Sequence, residues 1–341
     1  MSNNLNVITG GRGHVGFALV KELADRNENI RLLLRSDSPA FNGIKCEKVF
    51  GDICNSDDLE KVFEGATTVY HVAGLIDITG TKDDKVWEVN YEGTKKVVAA
   101  CKKMGVKNLV YVSSIDAVPI GVGNELITEE SVYDPENLIG AYAKSKYAAT
   151  NYVLANADEN FKVSVIYPST CIGPYDNNGT SCMGSVIKFF AKGLFPITFG
   201  FGSCNFIDVR DLASAMIAAA ESEYNKEKYF ICGDVVTLAE FVDTLAKSCN
   251  KKTPKIVIKK SFIKRIIPVC EKFCELTKTP PVITEFSIEK LCENFNFSNE
   301  KARRMLGFNP RSLEESLKDT AEYMLNTAEY MLKKGSKNIR R

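Results

Sequence analysis

The residues of this chain best suited to chemistry are a tyrosine and a lysine four positions apart, Tyr142 and Lys146. They fall in a segment whose pattern predicts a helix, and this spacing places both side chains on one helix face. A neighbouring ammonium favours the phenolate and lowers the pKa of a tyrosine, which suits a general acid or base. Upstream, an apolar run ends in Ser113 and Ser114. A serine hydroxyl there can bind a substrate oxygen, although paired serines after a strand also cap ordinary turns.

A second feature, at the N-terminus, is suited to holding a phosphate-bearing molecule. The apolar pair Val7 and Ile8 precedes three evenly spaced glycines, Gly10, Gly13 and Gly16, and a helical pattern follows them. Glycine lets the backbone approach a pyrophosphate closely, and the start of a helix favours negative charge. A strand, a glycine turn and a helix in this order predict a nucleotide-binding loop.

The elements that must position these residues alternate between short apolar runs and helical segments. This alternation predicts an α/β fold with a Rossmann-type, doubly wound parallel sheet, in which ligands bind beyond the carboxyl ends of the strands. The predicted strands cover residues 7–8, 30–34, 48–50, 68–71, 109–112 and 162–166, and the predicted helices cover residues 17–25, 57–63, 84–104 and 140–155.

The pattern is less regular after Pro168. It predicts helices over residues 183–192 and 206–220, a strand over 229–232, and a mainly helical, basic segment over 238–265. We expect a dinucleotide domain formed by residues 1–167 plus about 203–235, and a smaller, mainly helical substrate domain formed by 168–202 plus about 236–332. Residues 333–341 are expected to be a basic tail.

A tandem duplication near the C-terminus repeats the same six residues at positions 320–325 and 327–332. Its spacing of seven places Tyr323 and Tyr330 on one helix face. We expect this helix to pack on its own domain, and a homodimer contact is the alternative.

Bulk properties describe an ordinary globular protein. The 341 residues are 45% hydrophobic and 26% charged, and the net charge of +1 gives no reason to expect nucleic-acid binding. No apolar stretch is long enough to span a bilayer, and we expect the polar first residues not to be a signal peptide. The 11 cysteines lack metal-type spacing and there are only 2 histidines, so we expect no metal and reduced thiols in the cytoplasm.

Taken together and in this order, these features resemble the short-chain dehydrogenase/reductase superfamily, in its extended, epimerase/dehydratase-like branch. The resemblance covers nearly the whole chain. The matching segments are residues 9–16, 51–53, 71–74, 89–94, 111–114, 142–146, 167–169, 173–174, 206–211 and 298–308.

The resemblance implies a role for each matching residue. Tyr142 would be the catalytic acid/base, and Lys146 would depress its pKa and bind the nicotinamide ribose. Ser114 would polarise the substrate oxygen, with Ser113 as its alternative. The further residues expected to bind the dinucleotide are Gly10, Gly13, His14, Val15, Arg35, Asp52, Ile53, Ala73, Gly74, Pro168 and Ser169.

Three polar residues among the matching segments have structural alternatives. Asp52 would contact the adenine amine, but it could instead cap the helix that begins near Asp57. Asn90 is expected to be an internal hydrogen-bond anchor. His71, at a strand end, is expected to be a structural residue on the cofactor side.

The end of the second predicted strand bears on the choice of cofactor. NAD-specific relatives carry an acidic residue there, whereas this chain has Leu34 followed by Arg35. A guanidinium can pair with a 2′-phosphate, and Arg12 in the glycine loop could add to the same site. We therefore expect NADP, and Asp37 keeps NAD open as the alternative.

Two departures from the sugar-modifying relatives bear on the substrate. Those relatives place an asparagine in the segment after the sixth strand, where this chain has residues 167–174 without one. They also place an arginine shortly before the segment at 206–211 to bind a diphosphate, and the corresponding position here is Cys204. Without that cation a diphosphate loses its main charge-assisted contact. The segments 113–116 and 167–169 are more similar to the 3β-hydroxysteroid dehydrogenase and dihydroflavonol reductase group.

Apolar residues in the second half could form the wall of a substrate pocket, although such clusters are more often plain core. They are Phe189, Phe190, Leu194, Phe195, Ile197, Phe199, Phe201, Phe262, Ile263, Ile266 and Ile267.

We expect an NAD(P)-dependent oxidoreductase that interconverts a secondary alcohol and a ketone on a bulky apolar molecule, in the manner of a 3β-hydroxysteroid dehydrogenase. The alternatives are a dihydroflavonol or aldehyde reductase, a nucleotide-sugar epimerase or dehydratase, and a dinucleotide-sensing scaffold without turnover.

Overall fold

The fold was obtained as a computed structural model. The structure describes residues 4–76, 84–120, 125–176, 182–193, 197–265, 267, 288, 291–293 and 295–338. A seven-stranded sheet dominates it, in the order β10-β6-β5-β4-β1-β2-β3, and all of its neighbouring strands are parallel. Its strands are β1 (Leu5–Thr9), β2 (Asn29–Leu34), β3 (Glu47–Phe50), β4 (Thr68–His71), β5 (Asn108–Val112), β6 (Lys162–Pro168) and β10 (Glu227–Ile231).

Helices cover both faces of this sheet because successive residues of a strand point to opposite sides. Val7 of β1 belongs to one buried apolar cluster and Ile8 to another. The helices are α1 (His14–Asp25), α2 (Ser56–Phe63), α3 (Asp84–Trp87), a π-helical segment (Glu88–Glu92), α4 (Gly93–Lys103), α5 (Gly140–Ala155), α6 (Cys182–Ala191), α7 (Val209–Glu221), α8 (Leu238–Ser248), α9 (Glu300–Leu306) and α10 (Leu313–Asn338). The predicted doubly wound α/β fold is confirmed.

The register of the sheet brings the functional segments to one edge. Thr9 at the end of β1 pairs with Leu33 on one side and with His71 on the other. His71 in turn pairs with Tyr111 of β5. The strand order reverses between β1 and β4, and the crevice at such a reversal is where ligands bind in these sheets.

Two small sheets account for the less regular second half. One contains β7 (Thr170–Ile172), β9 (Ser203–Asp208) and β11 (Val235–Thr237), and the other contains β8 (Ile197–Phe199) and β12 (Ile256–Ile258). The helix predicted over residues 206–220 was wrong at its start, because Phe206 pairs with Thr170 in a strand and the Asp208 side chain caps the helix that follows. The mainly helical prediction over 238–265 also missed β12, which depends on pairing with the distant β8.

The C-terminal helix α10 packs on α6 and α8. Leu317, Ala321 and Met324 are buried there, and the Tyr323 ring lies 5.7 Å from that of Tyr175. The first copy of the duplication thus packs on its own chain, and the side chains of the second copy, including Tyr330, lie outside the described residues. Residues 333–338 of the expected tail continue the helix.

The proposed domain boundaries stay a prediction. Among the described residues, no helix is long and apolar enough to cross a membrane.

Candidate active site

The glycine loop between β1 and α1 is shaped by close backbone packing. Gly10 has a φ of +75°, and a Cβ there would lie 2.6 Å from the amide nitrogen of Ala73. A Cβ on Gly16 would lie 2.2 Å from the carbonyl oxygen of Gly10. Two of the three glycines are therefore required by the fold of the loop itself.

The start of α1 offers a site for an anion. Gly13 occupies the N-cap position, contributes no capping side chain, and is followed by a first turn without acidic residues. The unpaired N–H groups and the dipole of such a helix end favour a phosphate. His14 fixes the loop from outside, since its Nε2 lies 2.8 Å from the carbonyl oxygen of Pro174, while Val15 packs against the apolar cluster beneath.

Positively charged side chains lie at the end of β2. Arg35 is exposed, and Nη1 of Arg12 donates to the Ser36 hydroxyl at 2.5 Å. Asp37, the residue that could have bound a ribose diol, accepts from the Ser38 N–H and from Lys48 Nζ, both at 2.8 Å. These contacts, with that from Lys48 the largest, hold the pKa of Asp37 below its usual value. The choice between NADP and NAD stays a prediction.

The adenine-side residues follow β3. Oδ1 of Asp52 accepts from the Cys54 N–H at 2.8 Å, and Asn55, not Asp52, caps helix α2. The alternative role of Asp52 as a helix cap was therefore wrong. Ile53 packs against Gly93, where a Cβ would lie 3.3 Å from its Cδ1. Contact of either side chain with adenine stays a prediction.

Lys146 is a buried ammonium at the carboxyl edge of the sheet. Its Nζ donates to the carbonyl oxygen of Val112 at 2.8 Å and lies 4.9 Å from the centre of the Tyr111 ring. Burial lowers the pKa of Lys146 to about 7. A Cβ on Gly74 would lie 3.1 Å from this Nζ. Gly74 and Lys146 are therefore close together in the structure.

Tyr142 lies beside Ser114 and Asp116. Burial raises the pKa of Tyr142 well above its ordinary value, the charge of Asp116 raises it further, and a hydrogen bond with Ser114 acts in the opposite direction. The lowered pKa that the spacing predicts for Tyr142 is therefore wrong for the protein's own residues. The physical reason is that the Lys146 ammonium is bound by the Val112 carbonyl, while the phenolate would lose its hydration.

The structure separates the two serines after β5. The Ser113 hydroxyl lies 2.8 Å from that of Thr150 on α5, and both residues are buried. The Ser114 hydroxyl instead lies 3.4 Å from Oδ2 of Asp116 and also contacts Tyr142. Of the two, Ser114 faces the phenol, and Ser113 serves to attach α5 to the sheet.

A continuous chain of hydrogen bonds fixes His71. Thr94 donates to the carbonyl oxygen of Asn90 at 2.6 Å, so its hydroxyl accepts from the His71 Nε2–H at 3.0 Å. Nδ1 of His71 then accepts from the Thr9 hydroxyl at 2.7 Å, and Thr9 accepts from the Ala73 N–H. Burial lowers the pKa of His71 to about 3, with a smaller contribution from Lys146. This neutral imidazole joins the glycine-loop strand to the segment expected at the nicotinamide.

Asn90, in the π-helical segment, binds the backbone of Leu75, which follows Gly74 in the segment after β4. Its Oδ1 accepts from the Leu75 N–H at 2.8 Å, and its Nδ2 donates to the Leu75 carbonyl at 2.9 Å and to the Ser145 hydroxyl at 3.2 Å. Its expected role as an internal anchor agrees with these contacts. The sequence did not indicate a role in the site for Thr9, Thr94 or Asp116. A signal was present only for Asp116, which lies two residues after Ser114.

Pro168 and Ser169 follow β6 at the same edge. Ser169 is buried, and its hydroxyl is among the few buried side-chain polar atoms of the described residues without a hydrogen-bond partner. A buried hydroxyl without a partner is costly, so a ligand group that binds it would be favoured. With the glycine cradle and the open start of α1, this hydroxyl shows that the residues present fit a nicotinamide dinucleotide.

The residues of the expected apolar wall differ in burial and do not form one surface. Phe190 is core, and Phe199 and Phe201 pack with Ile263 and Ile267 in a small apolar cluster. Ile197 is partly buried. Phe189 and Phe262 are exposed. Leu194, Phe195 and Ile266 lie outside the described residues.

Comparison with known proteins identifies the family. The model of the 3-beta hydroxysteroid dehydrogenase/isomerase family matches residues 7–259. The chain belongs to this family. It is 26% identical over 326 residues to sterol demethylase protein B of Methylococcus capsulatus, covering 93% of this chain and 97% of that protein. It is 27% identical over 321 residues to a 3-beta-hydroxysteroid dehydrogenase of Mycolicibacterium neoaurum, covering 89% of this chain and 86% of that protein.

A solved structure agrees with the fold. The crystal structure of gox2253 superposes with a TM-score of 0.80 at 26% identity, covering 95% of this chain and 98% of that one. The Rossmann-type fold, the extended short-chain dehydrogenase/reductase family and the class of NAD(P)-dependent dehydrogenases and reductases are therefore confirmed for this member.

Proposed function

We propose that this protein is an NADP-dependent dehydrogenase that interconverts a secondary alcohol and a ketone on a bulky apolar molecule, a 3β-hydroxysteroid being the first candidate. The observation that carries this proposal is the placement of Ser114 and Tyr142 together at the sheet edge, with Lys146 beside Gly74. The names of relatives that act on sterols and hydroxysteroids support the substrate class.

The protein's own residues would handle the proton and the substrate oxygen. Nicotinamide, when bound, supplies the site that accepts or donates the hydride. Tyr142 exchanges the hydroxyl proton with the substrate oxygen, and Ser114 orients that oxygen by hydrogen bonding. Lys146 would leave the Val112 carbonyl for the ribose and the phenol, and its positive charge would then lower the pKa of Tyr142.

Two features support an apolar substrate over a nucleotide sugar. The position expected to hold a diphosphate-binding arginine carries Cys204, a buried thiol that offers no positive charge. The apolar cluster that contains Phe199 and Phe201 belongs to the part of the chain expected to hold the substrate.

The exposed Arg35 and the contact between Arg12 and Ser36 support NADP over NAD as the preferred cofactor. A cytoplasmic location is supported by free thiols, since the cysteines whose side chains the structure describes form no disulfide. A homodimer stays a prediction.

The test is a screen of NADPH and NADH oxidation with 3-ketosteroids, flavanonols, simple aldehydes and UDP-sugars, repeated with Tyr142→Phe. We expect turnover of 3-ketosteroids, and a loss of kcat of at least about 10²-fold in the variant. Dinucleotide affinity, measured by quenching of protein fluorescence, should change little. Turnover of UDP-sugars alone would contradict the substrate, and loss of both turnover and dinucleotide binding would contradict the role of Tyr142.

A further inference from the structure

A carboxylate lies next to the two hydroxyls of the proposed catalytic site. Ser114 lies 3.4 Å from Oδ2 of Asp116, and the backbone N–H of Asp116 donates to Ser114 Oγ at 3.2 Å. The bond from the Asp116 N–H orients the serine oxygen, and the Asp116 carboxylate offers an acceptor for the serine proton. Ser114 in turn contacts the phenol of Tyr142.

The groups near Lys146 offer no equivalent outlet for a proton. The Lys146 ammonium donates to the Val112 carbonyl, and the side chain of Asn90 is occupied at both ends by Leu75 and Ser145. Both residues are buried, whereas Asp116 is partly exposed. Asp116 therefore connects the buried Ser114 hydroxyl with solvent.

Two thiols and a second phenol near this site do not take the proton. Burial raises the pKa of Cys171 and of Cys204 to about 12, so both thiols stay protonated near neutral pH. Burial also raises the pKa of Tyr111, which interacts with Tyr142.

We propose that Asp116 is the outer end of a proton relay, running from Tyr142 through Ser114 to Asp116 and then to water. This inference rests on the proposed function. During oxidation of an alcohol, the phenolate of Tyr142 takes the substrate hydroxyl proton while the hydride leaves to the dinucleotide. The phenol then passes a proton to Ser114 Oγ as the Ser114 hydroxyl proton moves to the Asp116 carboxylate. During reduction of a ketone, the proton moves along the same path in the opposite direction, from Asp116 through Ser114 to Tyr142.

Asp116 does not touch the reacting atoms, so it is a positioning residue that orients Ser114 and exchanges its proton. Asp116→Asn keeps the shape and the backbone bond to Ser114 but removes the acceptor. We expect kcat for alcohol oxidation to fall about tenfold with little change in KM, because proton transfer contributes only to the chemical step. Asp134→Asn is the matched control, since its side chain only caps a short helix in the same loop.

Rescue distinguishes a relay from a merely structural role. In Asp116→Ala, formate at increasing concentration should restore kcat, because a small carboxylate can replace the missing group. A kcat unchanged in Asp116→Asn, or one in Asp116→Ala that does not respond to formate, would overturn the relay.

The relay can also be tested without a known substrate. In NADP⁺-saturated protein labelled with ¹³C at tyrosine Cζ, the Tyr142 signal is identified by its absence in Tyr142→Phe. We expect its pKa to fall in Asp116→Asn and to stay unchanged in Asp134→Asn, because the charge of Asp116 raises the pKa of Tyr142 and Asp134 does not contribute to it. An unchanged pKa in both would overturn the relay. If the Tyr142 pKa shifts in Asp116→Asn but the protein turns over no 3-hydroxysteroid, only the proposed substrate is rejected.

Discussion

The buried imidazole of His71 makes the stability of this protein depend on pH in a way that can be calculated. Burial holds its pKa at about 3 in the folded state, against 6.5 for the free side chain. Between these values the unfolded chain binds a proton that the folded protein does not, so stability rises with pH and is lost as the pH falls from 6.5 towards 3. The slope approaches about 1.4 kcal/mol per pH unit, and the change from pH 6.5 to 4.5 amounts to about 2 kcal/mol.

The assay is urea denaturation of the wild type and of His71→Gln at several pH values from 6.5 to 4.5. The variant loses the bonds to Thr9 and Thr94 and should be less stable at neutral pH by about 1–3 kcal/mol. All other titrating groups are shared, so the difference in unfolding free energy between the two proteins isolates His71. We expect that difference to shrink by about 2 kcal/mol over this range. A difference independent of pH would refute the neutral, fully hydrogen-bonded imidazole described above.

Three further results are expected. Gly16→Ala should lower the melting temperature by several degrees with or without cofactor, because its Cβ would lie 2.2 Å from the Gly10 carbonyl oxygen. In Gly13→Ala the new Cβ would lie 3.4 Å from the Gly10 carbonyl oxygen, so calorimetry should show an intact fold while titration should show weakened dinucleotide binding. Equal melting temperatures of Gly16→Ala and Gly13→Ala would contradict this. Ser114→Ala should reduce kcat by about 10²-fold in steady-state assays, whereas Ser113→Ala, which loses only the bond to Thr150, should reduce stability and keep activity. Arg35→Ala should raise the KM for NADPH more than that for NADH, and an equal effect on both would remove Arg35 from the cofactor site.

Local sequence patterns were sufficient for most of the Rossmann-type sheet. The strand over residues 68–71 and the helix over 140–155 have the predicted bounds, because their apolar periodicity is contained within each segment. Strands that depend on distant partners were less predictable. The run at residues 206–208 reads as the beginning of a helix, and only its pairing with β7 makes it a strand.

The sequence also named the residues of the candidate site, but it could not assign their partners. Ser113 and Ser114 are equivalent in the sequence, and their roles differ because Thr150 of α5 meets one and Tyr142 meets the other. The spacing of Tyr142 and Lys146 predicts a shared helix face, yet it does not show that the ammonium binds the Val112 carbonyl, a contact 34 residues apart in the chain.

By itself, then, the order of glycines, apolar runs and polar strand ends determined the fold, the family and the candidate dinucleotide-binding edge, since each of these depends on local periodicity and spacing. The tertiary structure alone decided which hydroxyl faces the phenol, why the pKa of Tyr142 is raised, and that Asp116 lies beside it. Burial and long-range contacts set these properties, and both arise only when separate strands and helices meet.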